Sequence, residues 1–117
     1  MEPIPYFFDS IDRNAVIVKP KKPFYNWVDS LYPDDDPSVN RKDEFNIYLV
    51  QEMDSNEEVR RYIELHFESI FANELNDWNT DEDKWPANRT FKMFIDWFDM
   101  EINSMILDLE EYEITKE

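Results

Sequence analysis

The chain has 117 residues, with no glycine and no cysteine, and carries 28 acidic against 12 basic side chains and one histidine, for a net charge of −16. Average usage of about 7% would put roughly eight glycines in such a length. P-loops, dinucleotide-binding loops, glycine-framed serine elbows and standard EF-hand loops are therefore excluded, because each needs glycine for positive φ or close backbone approach.

The absence of cysteine removes thiolate zinc sites, thiol nucleophiles and disulfides. The acidic excess opposes a broad electrostatic footprint on nucleic acid or on an anionic membrane. The length fits one domain, residues 1–117, and 42% apolar residues with 16% aromatic are enough for a core. No apolar run approaches the roughly 18 residues of a membrane span. The opening Met1-Glu2-Pro3-Ile4-Pro5 lacks a basic region before an apolar stretch, so the expectation is a cytoplasmic protein. The charge is uneven: residues 1–50 carry −3 and residues 51–117 carry −13.

In chain order, residues 1–13 read as an irregular arm with Pro3, Pro5 and the cluster Tyr6-Phe7-Phe8. Asn14–Lys19 is a β-branched run, a strand of about 14–19 ended by Pro20. Phe24, Trp27, Val28 and Leu31 lie on one face of a short helix over about 23–32, and Pro23 suits its first turn. Pro33-Asp34-Asp35-Asp36-Pro37 then forms a polar loop. Phe45–Val50 is a second strand, in which Phe45, Ile47 and Leu49 share a face. Ser55 and Glu58 have capping-box spacing before the longest helix, about 56–77, whose apolar stripe runs through Val59, Tyr62, Ile63, Phe67, Ile70, Phe71, Leu75 and Trp78.

Asn79–Lys84 is a polar link, with Thr80 and Asp83 spaced as a second capping box, and Trp85-Pro86 closes it. The last third fits two patterns. Phe91, Phe94, Ile95, Phe98, Ile102, Met105, Ile106 and Leu109 suit one long helix, whereas Phe98, Met100, Ile102, Ser104 and Ile106 alternate as a strand. We read a helix over about 88–98 followed by a strand over about 100–109, because a third strand completes a sheet that two would leave weak. Residues 110–117 form an acidic tail.

The expected architecture is α+β: a small three-stranded sheet in the order β-α-β-α-α-β, covered mainly on one face by helices. The rival is a mostly helical protein with a long C-terminal helix. Without glycine, turns are built from Pro, Asp, Asn and Ser. Positive φ is expected at Asn or Asp, such as Asn40 or Asn79, and tight hairpins are not expected.

Several groups are chemically suggestive. His66 lies beside the long helix's stripe and is the natural base near neutral pH, but a histidine packed at the edge of the core stripe with one hydrogen bond is the reading we favour. Asp34-Asp35-Asp36 and Asp81-Glu82-Asp83 contain the oxygens that hard cations prefer, but consecutive loop carboxylates seldom converge, and no metal or cofactor is assigned. Lys19, Lys21 and Lys22 form a basic patch that, with Arg13, Tyr25 and Trp27 nearby, could hold a phosphate or a partner's carboxylates; we favour the reading that it offsets acid within the molecule. Trp78 and Trp85 flank the acidic link. Large amphipathic rings favour interface centres, so Trp78, Asp81, Glu82, Asp83 and Trp85 are the candidate partner-binding residues.

A scattered pattern joins these segments. Lys19-Pro20-Lys21 with Pro23-Phe24 and Trp27, Phe71 to Glu74-Leu75 and Trp78, Asp81-Glu82, Trp85-Pro86, and Phe94, Trp97-Phe98, Glu101, Ser104 and Asp108-Leu109 resemble a family of small acidic bacterial proteins with no assigned activity. The resemblance covers most of residues 14–109. It implies a bacterial, cytoplasmic protein and no chemistry, and it favours the strand reading near Ser104. The functional expectation is a non-enzymatic module that binds a basic protein partner through an acidic, aromatic-rich face, with no direct contact to nucleic acid or membrane. The alternatives are an enzyme using carboxylates and His66, and a nucleic-acid mimic.

Overall fold

The computed structural model describes residues 9–35 and 45–115. In chain order these form β1 (Asp9–Ser10), β2 (Arg13–Pro20), α1 (Lys22–Leu31), β3 (Asn46–Gln51), α2 (Asn56–Asn76), a 3-10 turn (Glu82–Lys84), α3 (Phe91–Trp97), β4 (Phe98–Asn103) and β5 (Leu107–Asp108). The protein is α+β, as expected. Of the arm, residues 1–8 lie outside the described residues, while Asp9–Ser10 is not irregular: it pairs antiparallel with Leu107–Asp108.

The main sheet has the order β3-β2-β4, with β2 antiparallel to both neighbours. No consecutive strands of this sheet form a tight hairpin. β2 reaches β3 through α1, and β3 reaches β4 through α2 and α3 in a crossover past β2. Pro20 is tolerated at the end of the central strand for a geometric reason. The Lys21 N–H donates to the Trp97 carbonyl on the β4 side at 2.8 Å. Strand amides alternate in direction, so the Pro20 nitrogen faces the β3 side. Pro20 is therefore paired with Phe98 without needing a donor there.

The helices cover one face of this sheet. Val16 and Val18 of β2, Val50 of β3 and Phe98 of β4 are buried against them, with Met100 and Ile102 half-buried beside. The centre is aromatic. Phe24, Phe71, Phe94 and Phe98 are fully enclosed, with the Phe24–Phe98 and Phe94–Phe98 ring centroids 5.1 Å apart and Phe71–Phe98 edge-to-face at 5.3 Å. One ring from each of α1, α2, α3 and β4 meets here, so four elements close on one cluster. Such pairs add about 0.5–1.5 kcal/mol each beyond area burial.

Among the described residues β3 is exposed on the opposite face, and this decides on which side its predicted stripe lies. Phe45, Ile47 and Leu49 do share a face, but it is the open one. Ile47 is 60% and Leu49 50% exposed, and the helices meet Asn46, Tyr48 and Val50 instead. Two members of the basic patch lie on this side: Lys19 pairs with Glu101 at 2.7 Å and Lys21 with Asp99 at 3.7 Å. It offsets acid within the molecule.

The C-terminal third follows the split reading with shifted bounds. Thr90 caps α3 by accepting the Met93 N–H at 3.1 Å. Phe98 then leaves the helix straight into extended backbone, φ −138 and ψ 143. The expected strand over 100–109 is two pieces, 98–103 and 107–108, because the chain leaves the main sheet after the Ala15–Asn103 pair and the Ile106 carbonyl turns to accept the Ile11 N–H. Residues 109–115 have no regular structure and are exposed. Positive φ occurs at an asparagine, but at Asn88 (φ 55) rather than Asn79; Asn40 lies outside the described residues.

Candidate functional site

One end of the molecule collects polar groups from β3, α1, the C-terminal turn of α2 and the following link. Glu74 is its innermost member, 4% exposed. Its carboxylate accepts the Tyr48 hydroxyl at 2.5 Å and the Asn46 Nδ2 at 2.6 Å. Asn46 also donates to Asp77 at 2.8 Å, and Asn73 donates to the Tyr48 oxygen at 2.9 Å. The amide of Asn46 thus bridges two carboxylates one helical turn apart. Burial raises the Glu74 carboxyl above its ordinary range; the hydrogen bonds from Tyr48 and Asn46 oppose this, and the nearby Asp77 charge adds to it. Burial likewise pushes the Tyr48 and Tyr25 hydroxyls up, with Glu74 contributing to both.

Outside this cluster lies an open pocket of about 260 Å³ lined by Tyr32, Asn76, Asp77, Trp78, Asn79 and Thr80. The Tyr32 hydroxyl donates to the Trp78 carbonyl at 2.6 Å, tying the end of α1 to the end of α2. Asp34 and Asp35 follow Tyr32 by two and three residues, and Asp81 follows Trp78 by three. Each acidic segment therefore begins within about 11 Å of chain from its anchoring residue. The Tyr32–Trp78 bond thus ties the roots of the two acidic segments together; Asp36 lies outside the described residues.

The acidic link is held at several points. Asn79 Oδ1 accepts the Asp81 N–H at 2.8 Å, and Asp81 Oδ1 accepts the Asp83 N–H at 3.0 Å, so Asp81 rather than Thr80 caps the 3-10 turn. The Trp85 indole N–H donates to the Asn79 carbonyl at 2.7 Å, and that of Trp27 to the Lys84 carbonyl at 3.0 Å. Beyond the link, Arg89 donates to the Pro86 carbonyl at 2.8 Å and to Glu68 of α2, with its guanidinium 5.6 Å from the Trp85 ring.

The five predicted contact residues therefore divide. Asp81, Glu82 and Asp83 are exposed, while Trp78 and Trp85 are half-buried against the core and hold the link in place. Trp78 lines the pocket, whereas Trp85 anchors the link through its indole N–H. Reading the sequence alone misses Glu74 and Tyr48. A signal exists for Glu74: it stands three and four residues after Phe71 and Ile70, inside the apolar stripe where a carboxylate must find donors.

Other candidates do not converge here. His66 is exposed, its ring 4.3 Å from that of Tyr62 and two turns of α2 from Glu74. Among the described residues no group of three or more His, Asp or Glu is placed to hold a metal ion, and no helix is long and apolar enough to cross a membrane. Comparison with protein-family models, with curated proteins and with solved structures finds no match.

Proposed function

We propose that this is a non-enzymatic, cytoplasmic protein-binding module whose acidic end, around Tyr32, Trp78 and the 79–85 link, engages a basic protein partner. The observation that supports the reading is the Tyr32–Trp78 bond, which joins the roots of the two acidic segments, Asp34–Asp35 and Asp81–Asp83, beside an open pocket lined by Tyr32, Asp77 and Trp78. The indole bonds of Trp27 and Trp85 hold the acidic backbone in place, so less ordering entropy is lost when a partner docks. Acid at this density steers a basic partner and weakens with salt.

The enzyme reading has less behind it. His66 is remote from the pocket, and Glu74 is buried and already accepts from Tyr48 and Asn46 through one oxygen. A nucleic-acid mimic needs carboxylates in rows at phosphate spacing, and of the acids named here only Asp77 lines the pocket.

The test is capture from a lysate of the source cells at low salt, comparing the native chain with the triple variant Asp81→Asn/Glu82→Gln/Asp83→Asn. The reading expects a basic protein retained by the native chain and lost by the variant. Equal retention by both overturns it.

A further inference from the structure

The main sheet has two edges, and they are not alike. β4 points Asp99 and Glu101 to the open face, where they pair with Lys21 and Lys19. Charges on an edge strand obstruct the addition of another strand. β3, with the sequence Asn46-Ile47-Tyr48-Leu49-Val50-Gln51, has no charge and no proline, and its register with β2 runs without a bulge. Its side chains on the open face, Ile47 and Leu49, are at least half exposed. In a chain of net charge −16, this uncharged edge strand with exposed aliphatic residues has, among the described residues, none of the usual protection.

Backbone direction strengthens the contrast. The N–H groups of Ile11 and Lys21 both point to the β4–β5 side, at the Ile106 and Trp97 carbonyls. Because amides alternate along a strand, the even residues of β2 face β3. Through the pairs Val18–Asn46, Val16–Tyr48 and Asn14–Val50, the backbone groups of Asn46, Tyr48 and Val50 are turned toward β2. Those of Ile47, Leu49 and Gln51 face outward, and among the described residues no strand pairs with them. The residues that expose aliphatic side chains are thus also the ones that present backbone donors and acceptors.

The strand fits its own copy. A basic partner finds no carboxylate on it. With a two-fold axis through Tyr48, however, Ile47 of each copy stands opposite Leu49 of the other, and Asn46 opposite Val50. Both Ile47–Leu49 pairs fall on the open face, where they continue the half-buried Ile17 of each β2. We propose that β3 pairs antiparallel with β3 of a second copy in this register, joining two three-stranded sheets into one of six strands. Such an interface is isologous, as two-fold dimers require. Each chain carries a large negative charge, so the dimer tightens as salt screens repulsion. Binding of a basic partner at the acidic end responds to salt in the opposite sense, so the two readings fail separately.

The test is sedimentation of the full chain at rising concentration, at ionic strengths from about 0.05 to about 0.5 M. The expected result is a dimer whose population grows with both variables. Leu49→Lys puts an ammonium on the open face without touching the core. It is expected to leave the far-ultraviolet circular dichroism unchanged and the chain monomeric. The double variant Ile47→Cys/Leu49→Cys, in a chain otherwise free of cysteine, is expected to form an inter-chain disulfide dimer on oxidation, since directly opposed residues about 5.5 Å apart fit the span of that bond. A monomer at every concentration and salt, a dimer that survives Leu49→Lys, or an absence of inter-chain disulfide would each overturn the proposal.

Discussion

At the scale of single residues, two buried polar side chains contrast. Glu74 is satisfied, by the Tyr48 hydroxyl and the Asn46 amide, and ties β3 to α2. Its carboxyl is raised by burial, so the folded state holds that proton more tightly than the unfolded state does. The stability linked to this group is therefore fully present at acid pH, below the unfolded carboxyl range, and falls as pH rises through the raised folded value. Glu74→Gln keeps the acceptor oxygen and removes the charge. Melting curves across pH should show the variant gaining on the native chain as pH rises from acid to neutral, with the two converging at low pH. Glu74→Ala strands the Tyr48 and Asn46 donors and should cost about 1–3 kcal/mol in urea denaturation.

Asn14 is the opposite case. It is 1% exposed on the helix-facing side of β2, and neither its Nδ2 nor its Oδ1 has a hydrogen-bond partner. A buried amide without partners costs about 1–3 kcal/mol relative to an apolar group of similar shape. Asn14→Leu, close in size, should therefore raise the urea midpoint. A lower midpoint would mean that the amide contributes stability.

At the scale of elements, caps and indole bonds do the work that glycine turns do elsewhere. Ser55 accepts the Glu58 N–H at 3.2 Å and Thr90 the Met93 N–H at 3.1 Å. Both starts are legible in the sequence because a cap needs a short oxygen-bearing side chain at a fixed offset. Thr90→Ala should cost about 1 kcal/mol by denaturation. The Trp85–Asn79 bond belongs to no such local rule: it spans the link, and its existence depends on how α2 and α3 pack. Trp85→Phe keeps a ring and removes the donor. It should cost about 0.5–1.5 kcal/mol and speed hydrogen exchange at residues 79–84.

The same division decides what could be read beforehand. The long helix and both early strands were legible from periodicity, and the α3–β4 junction from its double pattern. Which face of β3 is buried was not, because Phe45, Ile47 and Leu49 form the more apolar stripe, and α2 covers the other through polar contacts of Tyr48 and Asn46 with Glu74. The break after Asn103 was hidden too, since Ile106 continues the alternation of Phe98, Met100 and Ile102 across it. Of the candidate site, the acidic link was visible as composition. Its tie to the segment that carries Asp34 and Asp35 was not, because it rests on one bond between residues 46 positions apart.

At the scale of the whole molecule, charge is segregated by surface. The open sheet face neutralises its acids locally through Lys19 and Lys21, the β3 edge carries none, and the end around Trp78 concentrates them. Two modes of association then respond to salt in opposite directions. The central claim is that the acidic end binds a basic partner. The most direct measurement is the salt dependence of the dissociation constant for the captured partner, with the native chain and the Asp81→Asn/Glu82→Gln/Asp83→Asn variant side by side. The account predicts affinity that falls steadily with ionic strength for the native chain, and a weaker, flatter dependence for the variant. Affinity indifferent to salt, or equal in the two chains, would contradict it.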